Sequence, residues 1–341
     1  MIKQSLFASE EREHKLNKLG DLLDRLNDCV NFSSLSAELE RIMPRSARLK
    51  GGRPPFPTEL MVRILVIQQL YNLSDDQMEF QLLDRLSFQR FAGLRHSSQI
   101  PDAKTIWLFK ERLKDAGAHT RLFDLVGIEL ARHGYIARGG QMIDASLVQV
   151  PRQHLSREEK AILEAQAIPT DWKPSQRQQK DTQAKWTQKH GKSYFGYKLS
   201  ANVDKQYKLI RKVKISPANE HDTLHLEAIL DPCNTCQAIY ADKGYVDQAR
   251  EQRLIKSGIK VHIQRKAKRG QVLSECQRKR NTRIARVRAR VEHPFAAMAQ
   301  MGGKTLRIIG LARAKFQLHL KAACYNLWRL VSLKKHGIKA I

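Results

Sequence analysis

Residues 141–150, QMIDASLVQV, mark the point where the chain changes period. Upstream, apolar residues recur at helical spacing for some eighty residues; here the pattern becomes that of a strand. Asp144 stands in the middle of it, and strands are depleted in aspartate. Either it lies on an edge and faces water, or it is held there for chemistry. Downstream, residues 193–204 (SYFGYKLSANVD) alternate, with Phe195, Tyr197, Leu199, Ala201 and Val203 on one face. Residues 208–216 (KLIRKVKIS) alternate too, and the short connection between them predicts an antiparallel hairpin. A helix is expected around Leu224, Leu226 and Ile229. Residues 237–241 form a short apolar strand ending at Asp242-Lys243-Gly244-Tyr245. A helix over 246–256 and a fifth strand over 259–264 follow. Strand–helix alternation after a hairpin predicts an α/β fold, a mixed sheet with helices on its faces.

On the N-terminal side the signals are helical. Leu16, Leu19, Leu22, Leu23 and Leu26 suggest a helical arm within residues 1–50, and KGGRPPFP at 50–57 is a Gly/Pro break. Thr58 is expected to cap a helix carrying Leu60, Met61, Ile64, Leu65 and Leu70. Ser74 to Gln77 has capping-box spacing. Further helices are expected from Ala103 and over 120–133. The domains expected are a helical arm (1–50), a helical DNA-binding or dimerisation module (51–137), an α/β domain (138–310) with a polar loop at 151–192, and a C-terminal helix (311–341). Helix-turn-helix binding and generic helical packing both fit the second of these, since no recognition-helix motif stands out.

The formal net charge is +27, from 61 Lys and Arg against 34 Asp and Glu. Such an excess implies a polyanionic partner, and nucleic acid is the first choice. An anionic membrane is the rival, but no apolar run reaches transmembrane length. The first residues, MIKQSLFASEEREHK, have no signal-peptide pattern, so a cytoplasmic, nucleoid-associated protein is expected. Five cysteines do not make a disulfide framework. Cys233-Asn-Thr-Cys236 is half of a zinc site at most, since two further ligands are lacking.

After Glu275 the chain carries 16 Lys or Arg and a single acid, Glu292. Glu292 lies in RIARVRARVEHPFAAMAQM (283–301), whose Ile284, Val287, Val291, Phe295 and Met298 recur at helical spacing. Arg288 sits one turn before it, so an ordinary i,i+4 pair is the plain reading. The other reading joins Glu292 to Asp144 and Asp242. If the first and fourth expected strands are neighbours, the two aspartates converge and the glutamate comes in from a packed helix. Three converging carboxylates repel one another unless they hold Mg²⁺ or Mn²⁺, which prefer oxygen ligands. Two such ions roughly 4 Å apart clamp the attacking and leaving oxygens of a phosphodiester displacement.

The motifs MIDAS, FGYK, HD after ISPAN, YADKGY and RARVEHPF resemble those of the DDE transposases of bacterial insertion sequences, most closely the group named for insertion sequence five. GGRPPFP, QQLYNLSD and IPDAKTI extend the resemblance over nearly the whole chain. It implies a ribonuclease-H-like fold, catalysis by Asp144, Asp242 and Glu292 with Mg²⁺ (or Mn²⁺, two ions), cleavage at element ends and strand transfer into target DNA. It also implies at least a homodimer on two ends of double-stranded DNA. Arg288 matches the family's basic position. The family often has lysine seven residues after the glutamate; here Ala299 stands there, with Lys304 or Gln300 nearby. His221 and Asp222 are expected to orient the acids or to cap a helix. Lys243, Tyr245, Lys198, Trp186 and Lys304 are assigned with Arg288 to DNA contact, although Lys243 and Tyr245 could simply shape a turn, and Trp172 and Trp186 could pin the polar loop. A metal-dependent nuclease of the same fold and a catalytically decayed DNA-binding regulator are the alternatives.

Overall fold

A computed structural model of the protein describes residues 7–44, 54–94, 100–165, 167–234, 236–267 and 270–340. They form two compact units, one of residues 1–133 with 326–339, the other of 134–325 with 340–341. Residues 50–53 of the Gly/Pro break lie outside the described residues.

The first unit is helical: α1 (Ala8–Leu19), α2 (Leu22–Cys29), α3 (Phe32–Ile42), α4 (Thr58–Leu70), α5 (Asp75–Asp84), α6 (Leu86–Ala92), α7 (Ala103–Asp115) and α8 (Ala118–Arg132). Side chains that accept the free amides of a first turn start several of these helices: Asp21, Asn31, Asp102, and a full capping box at Ser74 and Gln77. Pro57 rather than Thr58 is the cap of α4; its fixed φ leaves Thr58 as the first helical residue. The expected N-terminal arm is three helices, and α2 and α3 are not free. Leu23, Leu26, Phe32, Leu35 and Leu39 are buried, and α3 packs on α4 and α8.

The second unit is built on six strands: β1 (Gln141–Gln149), β2 (Lys185–Lys189), β3 (Lys192–Asp204), β4 (Ile210–Pro217), β5 (Ala238–Ala241) and β6 (Lys260–Ile263). Its helices are α9 (Arg157–Glu164), α10 (Pro174–Gln179), α11 (Gln248–Lys256), α12 (Glu275–Arg288), α13 (Glu292–Gln300) and α14 (Leu311–Lys335), the last counted with this unit up to Tyr325 and with the first beyond it. The strand order is β2-β3-β1-β5-β6, with β4 also on β3. β1 runs antiparallel to β3 and parallel to β5. β2 pairs with the first half of β3 and β4 with the second half, so both occupy the flank of β3 away from β1. This is the expected mixed sheet flanked by helices, in the ribonuclease-H-like arrangement.

Three expectations change in detail. In the polar stretch 151–192 the short helix expected from the Ser156–Glu159 cap is present as α9, but α10 and β2 follow it where only loop was expected. β2 escaped periodicity because KWTQK is an edge strand without an apolar face. Leu224, Leu226 and Ile229 lie in two 3₁₀ turns, 222–225 and 227–229, not in an α-helix. The 283–301 helix is broken, with a 3₁₀ turn at 289–291 between α12 and α13. Pro294 has no amide hydrogen to give the Arg290 carbonyl, so an unbroken α-helix would lose a bond there.

FGYK owes its glycine to the sheet. Gly196 has φ +152, and a Cβ on it would lie 2.1 Å from the Val148 carbonyl oxygen of β1. Its side-chain direction is filled by backbone. Gly196→Ala should therefore cost about 1–3 kcal/mol from backbone strain alone, more with the clash, and be read as a lower urea midpoint; an unchanged midpoint would mean that β1 and β3 do not approach this closely.

Candidate active site

The β1–β5 register decides where the two aspartates meet. Gln141 pairs with Ile239 and Met142 with Tyr240, an offset of 98. The same offset sets Asp144 level with Asp242, one on β1, the other just past the end of β5. Beneath them Ile143, Ile239, Ala241, Tyr245, Leu226, Ile229, Leu254 and Ile263 form a dry core. Burying each large aliphatic side chain contributes about 1.5–3 kcal/mol, so the floor under the acids is firm.

Asp144 is half-buried. One oxygen accepts the Ala145 amide at 2.9 Å, the other the Arg288 Nη2 at 2.7 Å. Burial holds its carboxyl above the usual range; the Arg288 guanidinium and the Ala145 amide pull the other way, and the charges of Asp242 and Glu292 push it up again. Asp144 thus feels both other acids of the expected triad. Arg288 is held from behind, its Nη1 donating to Gln264 Oε1 at 3.1 Å just after β6. The i,i+4 partner for Arg288 is therefore not Glu292, which opens α13 exposed to solvent. Asp242 turns one oxygen back on its own chain to accept the Gly244 amide.

A fourth carboxylate stands close by. A Cβ on Gly244 would lie 2.8 Å from Asp242 Oδ1 and 3.8 Å from Asp222 Oδ2, so the two acids face one spot. Asp222 is paired with Lys198 at 2.6 Å, and the Lys198 ammonium also donates to the Glu220 carbonyl at 2.5 Å. His221 turns outward and caps the 3₁₀ turn through Thr223. The histidine that anchors this loop is His225, unremarked in the sequence. It is fully buried, with Nδ1 2.8 Å from Ser200 Oγ and Nε2 2.9 Å from Glu220 Oε2. Ser200 stands on the polar face of β3, with Lys198 and Asn202, so the alternation of the strand gave no signal for this histidine.

Of the residues assigned to DNA contact, Arg288 and Lys198 are engaged with Asp144 and Asp222. Lys243 and Lys304 are exposed. Trp186 is 46% exposed on β2, with the Arg152 guanidinium 5.6 Å from its ring, whereas Trp172 is buried and donates to Glu159. Tyr245, expected at the DNA surface, is 1% exposed: it faces inward because the turn after Asp242 rolls it onto the apolar floor. Lys304 sits on a tie between the two halves of the site, since Gln149 of β1 donates to its carbonyl at 2.8 Å and Leu306 donates back to Gln149. The buried Lys321 of α14 donates to the Met301 carbonyl at the end of α13.

Among the described residues no three His, Cys, Asp or Glu side chains stand close enough to hold a metal ion, and Cys233 and Cys236 are free thiols. The acids that face one another at the head of β1 and β5 nevertheless offer only carboxylate oxygen, the donor that Mg²⁺ and Mn²⁺ prefer. Arg288 neutralises Asp144 in the arrangement seen here. No helix among the described residues is long and apolar enough to cross a membrane.

Two family models match the chain. A family model described as a transposase DDE domain matches residues 138–327, which includes all three acids. A second, described as a transposase domain (DUF772), matches residues 10–112 of the helical unit.

Proposed function

The chain belongs to the DDE transposases, and we propose that it cuts DNA at the ends of an insertion sequence and joins the freed 3′-hydroxyls to target DNA. Within the family we place it with the group named for insertion sequence five, on the motifs quoted above. What supports the reading is the parallel β1–β5 register, whose offset, carried on from the last pair, sets Asp144 of β1 level with Asp242, the residue after β5. Asp144, Asp242 and Glu292 would hold Mg²⁺ or Mn²⁺, two ions in the full centre. Bound there, the ions polarise the phosphodiester and lower the pKa of the attacking water or hydroxyl.

The protein's own residues orient the reaction. Arg288, within reach of Asp144 and backed by Gln264, supplies a guanidinium for a non-bridging phosphate oxygen. Water attacks phosphorus and the 3′-oxygen leaves; that 3′-hydroxyl then attacks a target phosphodiester in line and expels the target's 3′-oxygen. Positioning and charge stabilisation do most of this work. Lys243, Lys304 and the Arg152–Trp186 pair are exposed for backbone and base contact, and a homodimer would bring two ends together. A protein of this charge would reside on the nucleoid.

Purified protein incubated with Mg²⁺, a labelled element end and a target plasmid should give joined products that vanish in Asp242→Ala and Glu292→Ala. Nicked ends that are never joined would assign it instead as a nuclease. Binding without cleavage would assign it as a regulator and would point to Ala299.

A further inference from the structure

Tyr245 is the most deeply buried polar group at the acidic cluster. Its ring is 1% exposed and belongs to the core under Asp144 and Asp242, with Ile143, Ile239, Ala241 and Ile263. Its hydroxyl has no hydrogen-bond partner. A buried donor left without an acceptor costs about 1–3 kcal/mol, and phenylalanine would fill the same space without that cost. The charged groups that act on the hydroxyl are those of the site: Asp222, Asp144, Asp242 and Arg288. Its neighbour Gly244 brings Asp242 and Asp222 onto the same spot. Meanwhile Asp144 is taken up by Arg288 and Asp222 by Lys198. Asp144 and Asp222 are thus committed to internal cations, while the buried phenol beside them is idle.

We propose that Tyr245 is a positioning residue of the reaction centre, whose buried O–H donates to the Asp222 carboxylate and so fixes the orientation in which the acids of the site receive divalent cations. Asp222 becomes a member of the centre by the same argument. Lys198 holds it on one side, and the phenol, idle in the resting fold, would hold it from the other once the cations are bound. This rests on the metal-dependent reading of Asp144, Asp242 and Glu292.

The test is Tyr245→Phe in the full chain, with Mn²⁺ binding followed by electron paramagnetic resonance. Because the hydroxyl is idle in the resting fold, the variant should melt no lower than the parent and up to several °C above it. Its Mn²⁺ affinity should fall about tenfold, the lower end of what loss of a group behind a ligand costs, with DNA affinity unchanged. Asp222→Asn should weaken Mn²⁺ similarly, and the double variant should be no weaker than Asp222→Asn alone, since the two act through one bond. Unchanged Mn²⁺ affinity in Tyr245→Phe would overturn the proposal. So would a variant melting well below the parent, which would show that the hydroxyl already has a stabilising partner. Additive losses in the double variant would also reject it, by separating the phenol from Asp222. Asp144→Asn is the control: if it too binds Mn²⁺ like the parent, the metal assignment itself has failed.

Discussion

Asp144→Asn is expected to bind element-end DNA as tightly as the parent and to cut it at roughly one-thousandth of the rate. The size follows from a metal's Lewis-acid contribution of several kcal/mol, at tenfold for each 1.4 kcal/mol of barrier. An asparagine keeps the shape and one oxygen but loses the charge a hard cation requires. The fold should survive the change. The amide oxygen can still accept from Arg288, which also keeps Gln264 and faces the remaining acids. DNA affinity should survive because no phosphate contact is removed; freeing Arg288 from a full counter-charge would if anything strengthen it. Single-turnover cleavage beside a binding titration checks both halves. A variant that still cuts at the parental rate would remove Asp144 from the site.

The second large effect is on binding. A chain of net charge +27 whose last 66 residues hold 16 basic side chains and one acid neutralises many phosphates at once. If six or more are contacted, affinity should fall by about 10³-fold or more between 50 and 200 mM salt. The loss should be much the same for element-end and unrelated DNA, since it reports backbone contact and not base readout. A fluorescence-anisotropy series over that range measures it. A flat response would mean that the basic excess serves the fold or another partner.

Much of this architecture was visible in the amino-acid order. Alternating or extended apolar patterns found β1, β3 and β4, although β3 is buried on both faces over most of its length; the short apolar runs of β5 and β6 were found by their flanking turns. The polar edge strand β2 carries no such signal, and only pairing with residues 192–196 of β3 makes it a strand. Asp144, Asp242 and Glu292 stood out because each is a charge in the wrong company: within a strand, at a strand's end, within a basic helix. Their neighbourhood was less legible. That Arg288 prefers Asp144, 144 residues away, to Glu292 one turn on depends on the break at 289–291, which swings the glutamate out of line. His225 could not be told from any other histidine until Ser200 and Glu220 were seen on either side of it. Tyr245 looked like a surface contact because it follows Asp242 in a turn; the turn's direction is set by the core and is not written locally.

The division of α14 between the two units bears on how the protein is made. Asn326, Leu327, Leu330, Val331 and Leu333 are buried members of the helical unit, yet 192 residues (134–325) separate them from His133. On the ribosome the first eight helices emerge well before the segment that completes their core. They must wait, with apolar surface uncovered, while the whole catalytic unit is synthesised. A gene interrupted just before that segment would leave the helical unit without its last piece although every residue of 134–325 had been made, and one interrupted before Lys321 would also deprive α13 of the helix whose ammonium meets its C-terminal end.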